Sequence, residues 1–447
     1  MPFHLRLRRP GTRKAGAAAL TVGFALLLAA CGQNYPNSIF HQRTDFNRDV
    51  DFLFKILIYA GTAVFVFVEA ILVWTLIKYR HRPGRPDPEH VHGNTTLEIT
   101  WTVIPLFILV LIGFPTVKTI FKTQAKARAD ALQVEVIGHQ WWWEFRYPQY
   151  NVVTANELYL PLGRTVNFTL KTQDVIHSFW VPALAGKRDL VSNHTNYLWY
   201  TPDSTTATAF NGACVEYCGA SHANMRFRAF VVSPAEFDSW AAHQSTAAIG
   251  TSPTAPAPGG APGAAAAVAP TTAPGAAVPA PTTASAAAVA QQPATPPVTT
   301  PVVQAGFIAF PREQMPAYTV PQTPLPAGLN FDDNLLGKGD PANGAKLVVG
   351  QGGCLGCHTI KGNPMMVGVI GPNLTHIATR TTIAAGLYPN DERHLARWIK
   401  NAPVMKPGVY MLTEGAGEYD PVRHMKSPTN LTDQQIADIV AYLQTLK

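Results

Sequence analysis

Four of the five cysteines of this 447-residue chain lie in two short segments, each of which also contains a histidine. One segment, from Cys214 to Met225, has the sequence CVEYCGASHANM, and the other, from Cys354 to His358, has the sequence CLGCH. Their C-x3-C and C-x2-C spacings do not suggest a disulfide framework, in which an even set of cysteines is available for pairing. Both segments therefore predict sites that bind a metal ion or a cofactor.

The CLGCH segment has the C-x-x-C-H pattern by which exported proteins attach a c-type haem. Cys354 and Cys357 would form the two thioethers, and His358 would be the proximal iron ligand. A zinc site would need two further Cys or His ligands nearby, and the other histidines of this region are scattered. A thioredoxin-like site would need a βαβ pattern, which this region lacks. The sequence therefore predicts covalently bound haem c.

Two nearby segments resemble parts of class I cytochromes c. In the GPNL segment, the carbonyl of Pro372 takes the place of the proline carbonyl that orients the ligand histidine. The KPGVYM segment resembles the one that supplies the axial methionine, so Met411 is the first candidate. Leu412 replaces the proline that usually follows, and Met405 and Met425 remain alternatives. A His/Met pair raises the haem potential, which suits an electron carrier.

The segment from Cys214 to Met225 combines two thiols, an imidazole and a thioether. Soft sulfur with imidazole selects copper or zinc, and a weak methionine ligand favours copper. Two thiolates four residues apart can bridge two copper ions, each of which needs its own imidazole. His222 offers one, and His177 in the upstream VIHSFWVP segment offers the other. A structural zinc site is the alternative, although its cysteines are more often spaced C-x2-C and it does not use methionine.

The pattern C-x-E-x-C-G-x-x-H-x-x-M, with D-x-x-H-S-F-W-V-P upstream, resembles subunit II of cytochrome c oxidase over roughly residues 40–240. The resemblance implies a dinuclear copper centre A. It also implies that the side chain of Glu216 reaches a magnesium ion at the interface with subunit I. The copper ligands that the resemblance implies are His177, Cys214, the backbone carbonyl of Glu216, Cys218, His222 and Met225.

Two further residues take a role from this resemblance. The GHQWWWEFR segment resembles the aromatic stretch of the family, which implies that Trp141 is the electron-entry residue above the copper. By composition alone the same segment is an apolar patch or the core of a sheet. Glu98, three residues before Trp101, matches the acidic residue at the mouth of a proton pathway in related enzymes, and its alternative is a plain interfacial charge.

Two long apolar segments, residues 52–77 and 99–121, predict a transmembrane hairpin. Each exceeds the ~20 residues that span ~30 Å of hydrocarbon. The positive loop KYRHR at residues 78–82 should remain in the cytoplasm. Charged residues make up 14% of the chain, against about 25% in soluble domains, which argues against an ordinary cytosolic enzyme. The net charge is +7, but the Lys and Arg residues do not form one long basic block, so nucleic acid is not an expected partner.

The N-terminus has the pattern of a secretory signal, with basic residues before an apolar stretch at residues 15–30. This stretch ends in LAAC and resembles the bacterial lipobox, in which the cysteine, here Cys31, is lipidated. A lipidated Cys31 would anchor the mature N-terminus at the outer leaflet, in agreement with the positive loop. An uncleaved anchor or a plain signal peptide is the alternative.

The rest of the chain divides by composition. Segments rich in β-branched and aromatic residues, such as 132–137 and 226–232, predict an all-β domain, which the resemblance makes cupredoxin-like. Residues 239–311 contain no Asp, Glu, Lys or Arg and predict a disordered Ala/Pro linker. The final segment predicts an all-α class I cytochrome c domain with a capping box from Thr432 to Gln435.

The predicted protein is therefore a multidomain membrane protein. Its expected parts are a lipoprotein signal peptide at 1–30, a transmembrane hairpin at 31–125, a cupredoxin-like copper domain at 126–240, a linker at 241–329 and a cytochrome c domain at 330–447.

The fused haem domain makes the chain resemble bacterial oxidases whose subunit II carries its own cytochrome c. This implies an electron-transfer subunit of a proton-translocating respiratory oxidase in the bacterial cell membrane, with both redox domains on the outer face. Electrons would pass from a donor, such as a cytochrome c or a quinol–cytochrome c reductase, to haem c, to copper and on to the oxygen-reducing site of subunit I. Subunit III is a further expected partner. The linker would act as a tether that raises the local concentration of the haem domain at the copper domain.

Three alternative functions fit the residues less well. A membrane copper chaperone or sensor needs no covalent haem, so the C-x-x-C-H motif argues against it. A quinol oxidase subunit II lacks the copper ligands that this chain has. Nitrous oxide reductase shares the copper motif but needs a large histidine-rich second site, which is missing from this sequence.

Overall fold

The computed structural model of the chain describes residues 21–23, 38–84, 92–125, 129–203, 207–248 and 306–447. The predicted lipidation site, Cys31, lies outside the described residues, as do nearly all of the predicted signal peptide and the greater part of the predicted linker. The described residues form two long helices, a β-sandwich and a small helical domain, which confirms the predicted fold class.

The two long helices are apolar and exposed. Helix α1 spans Asp45–Lys78 and helix α2 spans Thr95–Gln124, and both are long and apolar enough to cross a membrane. Both extend beyond the predicted apolar segments because polar side chains cap them. Thr44 accepts a hydrogen bond at the start of α1, and Asn94 does so at the start of α2.

The first turn of α1 attaches the helices to the sandwich. Phe46 is buried in the core of the sandwich. The Asn47 side-chain amide donates to the carbonyl of Pro182 at 2.8 Å, and the Asp45 carboxylate accepts from the backbone N–H of Thr201 at 2.9 Å. The sandwich is therefore fixed at the N-terminal end of α1.

The sandwich consists of two five-stranded sheets. Its strands are β1 (Leu132–His139), β2 (Trp142–Tyr147), β3 (Val152–Ala155), β4 (Glu157–Pro161), β5 (Val166–Thr172), β6 (His177–Trp180), β7 (Arg188–Leu190), β8 (Asn196–Tyr200), β9 (Thr208–Cys214) and β10 (Arg226–Val232). One sheet has the order β3-β2-β1-β5-β8 and the other β4-β10-β9-β6-β7. Aromatic side chains fill the space between the sheets, among them the fully buried Trp143, Phe145, Phe168, Phe179 and Phe227.

The helical domain follows helix α3 (Pro234–Gln244) and contains four further helices and two short hairpins among its described residues. These are α4 (Pro341–Val349), β11 (Thr382–Ile383), β12 (Tyr388–Pro389), α5 (Glu392–Lys400), α6 (Ala402–Met405), β13 (Tyr419–Asp420), β14 (Met425–Lys426) and α7 (Asp433–Thr445). The predicted capping box of Thr432 and Gln435 opens α7. Helices α4 and α7 cross closely at Gly344, where a Cβ atom would lie 2.0 Å from the carbonyl oxygen of Asp438.

The structure differs from the predicted linker, residues 241–329, at both of its ends. Helix α3 continues into it as far as Gln244. Residues 306–320 include short 3-10 turns and pack on the sandwich, where Phe310 is only 2% exposed and belongs to the core, whereas Leu325 and Leu329 pack with the core of the helical domain. The composition of the segment did not predict this packing, because one aromatic side chain hardly changes the composition of a proline-rich segment but is enough to attach it to an apolar core.

Candidate copper and haem sites

Three buried donors meet at one end of the sandwich. His177 opens β6, Cys214 ends β9, and Cys218 lies in the loop that follows β9. Their ligand atoms all lie within 4.8 Å of one another. The long sequence separation between His177 and Cys214 is closed by the pairing of β6 with β9, in which Phe179 lies opposite Cys214.

The other predicted copper donors surround the same sulfur atoms. The Cys218 sulfur lies 3.6 Å from Nδ1 of His222 and 3.8 Å from the sulfur of Met225. The Cys214 sulfur lies 3.8 Å from that of Cys218 and 3.2 Å from the carbonyl oxygen of Glu216. The structure thus brings all the predicted copper donors into one small volume.

Both imidazoles turn Nδ1 toward a thiol. Nδ1 of His177 lies 3.8 Å from the Cys214 sulfur, while its Nε2 lies 2.8 Å from the carboxylate of Asp174. Asp174 also accepts from the backbone N–H of Gln140 at 2.7 Å, which holds the carboxylate in place. A carboxylate on the far nitrogen fixes the tautomer of a metal-binding histidine. Asp174 is the first residue of the D-x-x-H pattern, and that spacing is the signal in the sequence for a carboxylate that orients His177.

The two thiols differ strongly in pKa because they lie side by side. The contact with Cys218 lowers the pKa of Cys214 to about 4, and His177 contributes to this. The same contact, together with burial, raises the pKa of Cys218. Two adjacent thiolates repel each other and are stable only when cations lie beside them. A bound metal ion supplies this positive charge and deprotonates its thiol ligands. The donor set therefore fits a pair of copper ions.

The haem motif lines a cavity in the helical domain. Its walls include Cys354, Cys357, His358 and Met411. Apolar side chains form much of the remaining wall, among them Val348, Ile377, Leu395, Trp398, Ile439 and Leu443. Two thiols and an imidazole on the wall of an apolar cavity fit a covalently attached haem.

His358 is held in place by the proline loop. Its Nδ1 donates to the carbonyl of Pro372 at 2.7 Å, as the resemblance to class I cytochromes c implies, and this leaves Nε2 for the iron. Burial lowers the pKa of His358, so the ring is neutral, as a metal ligand must be. Gly371 permits the close approach, because a Cβ atom there would lie 2.6 Å from Cε1 of His358.

The three candidate methionines lie in different surroundings. Met411 lines the haem cavity. Met405 is buried in the core of the domain, where its carbonyl accepts from the Tyr388 hydroxyl at 3.0 Å. Met425 belongs to strand β14 and is 43% exposed. This placement favours Met411 over the two alternatives.

Trp141 lies between the two sites. Its indole N–H donates to the carbonyl of Cys218 at 3.0 Å. The same side chain lines the haem cavity and stacks on Tyr410, with ring centroids 6.4 Å apart and planes at 11°. The resemblance implied the contact with the copper loop, and the structure adds the contact with the haem domain.

Two further predicted roles concern the side chains of Glu98 and Glu216, which do not point into either site. Glu98 is in the first turn of α2, where an acidic side chain stabilises a helix N-terminus. The Glu216 side chain is exposed, and among the described residues it belongs to no group of three or more His, Cys, Asp or Glu side chains able to hold an ion. A magnesium ion therefore has no support from these residues.

Comparison with known families assigns three regions of the chain. The profile described as cytochrome c oxidase subunit II, transmembrane domain, matches residues 41–119. The profile of the periplasmic domain of the same subunit matches residues 151–232. The cytochrome c profile matches residues 341–447.

Individual relatives of this chain are described as cytochrome c oxidase subunit 2 or as a probable form of it. Cytochrome c oxidase subunit 2 of Alkalihalophilus pseudofirmus is 41% identical over 194 residues, which cover 42% of this chain and 56% of that protein. The Bacillus subtilis protein of the same name is 38% identical over 184 residues, 38% of this chain and 52% of that protein. The chain thus spans about half the length of these curated relatives. The probable cytochrome c oxidase subunit 2 of Rickettsia bellii is 33% identical over 213 residues, 43% of this chain and 78% of that protein.

Among solved structures, the periplasmic domain of subunit II of the Bradyrhizobium japonicum cytochrome oxidase is 27% identical, with a TM-score of 0.25. The match covers 27% of this chain and 96% of that domain. The three matched profiles and the extent of the Rickettsia match show that this chain belongs to the cytochrome c oxidase subunit II family and carries a cytochrome c domain in addition.

Proposed function

We propose that this chain is the electron-transfer subunit of a respiratory cytochrome c oxidase, with haem c and copper centre A as its redox groups. The observation that carries the proposal is the position of Trp141, which contacts the copper loop and the haem cavity at once. A copper chaperone has no need of such a contact. When bound, the two groups supply one-electron redox chemistry.

The residues proposed to hold copper are the six donors that meet at the end of the sandwich. Strands β6 and β9 hold His177 and Cys214 from two directions, and the loop between β9 and β10 supplies the rest. His177, Cys214, Cys218 and Met225 are buried, which limits the access of water to these donors, whereas His222 is only partly buried. Because the donors are already close together, little chain movement is needed to form the site. The donors are His177, Cys214, the carbonyl of Glu216, Cys218, His222 and Met225.

The residues proposed to hold haem c are Cys354 and Cys357 through thioethers, with His358 and Met411 as axial ligands. Pro372 orients the imidazole of His358 by accepting from its Nδ1. The apolar wall of the cavity keeps water from the iron ligands, which favours the reduced form of a His/Met haem.

Trp141 is proposed to occupy the passage between the two groups. Its indole contacts the Cys218 carbonyl on one side and Tyr410 on the other, so a single side chain joins the copper loop to the haem domain. Only 7% of Trp141 is exposed, which agrees with this role.

Several finer features belong to the same proposal. Subunit I, and with it subunit III, would bind the membrane helices, and both redox domains would face outward toward a cytochrome c or quinol–cytochrome c reductase donor. Cys31 would be lipidated in a bacterial membrane. Glu216 would reach a magnesium ion at the subunit I interface, and Glu98 would lie at the mouth of a proton pathway. The domain division at 1–30, 31–125, 126–240, 241–329 and 330–447 would hold with the linker shortened at both ends.

The test is stopped-flow reduction of the purified oxidase complex. The wild-type complex should contain two copper ions and one haem c on this chain, and haem c should be reduced before copper. Trp141→Phe should slow transfer between them by about tenfold or more while copper content and haem spectrum stay unchanged. Trp199→Phe, in strand β8 away from the interface, is the matched control. Unchanged transfer in Trp141→Phe would contradict the proposed role.

A further inference from the structure

Residues 306–320, named here the return strap, bring the chain back onto the sandwich before it enters the haem domain. The Phe310 ring stacks on Phe230, with centroids 5.2 Å apart, and its backbone N–H donates to the Tyr159 hydroxyl at 3.0 Å. The hydroxyl of Tyr318 donates to a backbone carbonyl of β9 at 3.1 Å. The strap is thus attached both to the core of the sandwich, through Phe310, and to strand β9, through Tyr318.

The return strap begins beside helix α3. The Ser239 hydroxyl in α3 donates to the carbonyl of Phe307 at 2.9 Å. The described chain before residue 249 and the described chain after residue 305 therefore meet beside α3. The length of residues 249–305 does not set the distance between the sandwich and the haem domain, because the strap has already returned to the sandwich.

Arg228 joins the sandwich, the strap and the haem domain. It lies in β10 with only 3% of its surface exposed. Its Nε donates to the carbonyl of Thr319 in the strap at 2.6 Å, and its Nη2 donates to the carbonyl of Gly386 in the haem domain at 3.2 Å. A buried guanidinium is stable only with such acceptors, so the strap and the haem domain complete its surroundings.

Glu157 makes the matching contact from the neighbouring strand. It lies opposite Arg228 in the register of β4 and β10 and is 2% exposed. Its carboxylate accepts from the backbone N–H and the hydroxyl of Thr381 at 2.7 and 2.6 Å, and from the N–H of Thr382 at 3.2 Å. These three donors belong to the haem domain. Undocking would break these three hydrogen bonds to a carboxylate, which are stronger than bonds between neutral groups, so they favour the docked state.

Lys406 secures the side of the interface next to Trp141. The residue is 2% exposed, and its ammonium donates to the Trp141 carbonyl at 2.6 Å and to the Ala384 carbonyl at 3.2 Å. Gly408 lies against the indole, where a Cβ atom would be 2.9 Å from Cη2 of Trp141. The segment that leads to Met411 is therefore held against Trp141.

We propose that the return strap and the buried contacts of Glu157, Arg228 and Lys406 dock the haem domain on the copper domain as a fixed unit, for which residues 249–305 are dispensable. The three polar residues act as positioning residues. The consequence for electron transfer rests on the proposed function, whereas docking itself does not.

The first test separates docking from tethering. A specific protease site is inserted among residues 249–305 of the full-length, haem-loaded chain in detergent, and the chain is cleaved there. The haem fragment should co-elute with the membrane fragment in gel filtration, with nearly all haem absorbance retained. Release of the haem fragment from the cleaved wild-type chain would overturn the proposal.

Variants then identify the contacts responsible. Glu157→Ala should release the haem fragment after cleavage, and Thr381→Val, which removes one donor from the haem side, should speed its dissociation by roughly tenfold or more. Glu135→Gln, in an ion pair with Lys171 at 3.0 Å on strand β1, is the matched control and should retain the fragment. Copper content and haem spectrum before cleavage show that each variant is folded. Retention in both interface variants would refute the role of these contacts.

Deletion of residues 249–305 supplies an independent test in the assembled oxidase. Haem c oxidation after flash photolysis should stay within about twofold of the wild-type rate. Hydrogen exchange at Thr381 and Thr382 should remain as slow as in the wild type. Faster exchange or a loss of more than tenfold in rate would overturn the proposal. Absence of transfer in the wild type as well would count against the proposed function, while exchange would still decide docking.

Discussion

The copper site places its donors in contact with one another, whereas the haem site places them around a cavity. A metal ion is smaller than a side chain, so its ligands must converge, and strand ends joined by sheet pairing achieve this. A macrocycle is larger than any side chain, so its ligands must stand apart, and the packed helices leave room between them. The two frameworks therefore differ because the two groups differ in size.

The cysteines of the two sites also differ in their electrostatic surroundings. Contact between the two copper-site thiols lowers the pKa of Cys214 and raises that of Cys218, so one thiolate forms readily there and a second needs a cation beside it. Burial raises the pKa of Cys354 to about 12, which keeps this thiol neutral. A thioether carries no charge, so an apolar wall suits a cysteine that joins haem but not one that binds copper through a thiolate.

The largest expected effect is the loss of copper from Cys218→Ser. Removal of one of the two thiolates proposed to hold copper should reduce the copper content from two ions per chain to one or none, and the haem should be unaffected. Metal analysis against haem absorbance, with electron paramagnetic resonance for mixed valence, measures this. Tyr217→Phe, an exposed neighbour in the same loop, is the control. Two copper ions in Cys218→Ser would break the comparison of the two sites.

Met411→Ala should leave haem attached through both thioethers but lower its potential by on the order of 0.1 V, within the ~0.8 V range that axial ligands cover. Loss of the thioether destabilises the reduced iron. Redox titration and the sulfur-to-iron charge-transfer band report the change. The exposed Met425→Ala should behave as the wild type. The reverse pattern would transfer the axial role to Met425.

Gly371→Ala should destabilise the haem domain by about 1–3 kcal/mol, because its Cβ atom would overlap His358 at 2.6 Å. Urea unfolding followed by haem absorbance measures the loss. Gly356→Ala has open space around the new Cβ atom and should have a smaller effect. Equal effects in the two variants would show that the proline loop does not hold the imidazole rigidly.

The smallest effect is expected from Asp438→Asn. Burial raises the pKa of Asp438, but hydrogen bonds from Asn343, the Asp340 N–H and Gln434 outweigh it and hold the pKa below its usual range. Its stabilisation is therefore present above the unfolded-state pKa and lost as pH falls through the folded-state pKa. The variant should lose about 1 kcal/mol at neutral pH and converge with the wild type in acid. Unfolding at several pH values measures this, and a constant difference would contradict it.

Local spacing was enough to predict a large part of both sites. The C-x-x-C-H motif and the run from Cys214 to Met225 bring their donors together within one or two turns of chain, so connectivity itself limits their separation. Apolar length predicted the two long helices, and the capping box predicted the start of α7. In these cases the neighbours in space are also neighbours in sequence.

Only the tertiary structure decided the contacts between distant segments. Pairing of β6 with β9 brings His177 to Cys214, and packing of the helical domain places Met411 rather than Met425 at the cavity. The composition of the return strap did not predict its contact with the sandwich, since one buried aromatic ring, that of Phe310, is enough to attach it. The contacts of Glu157 could not be predicted from the sequence either, because the groups that donate to its carboxylate lie on another domain. Such contacts depend on which surfaces fit together, and no spacing along the chain records that.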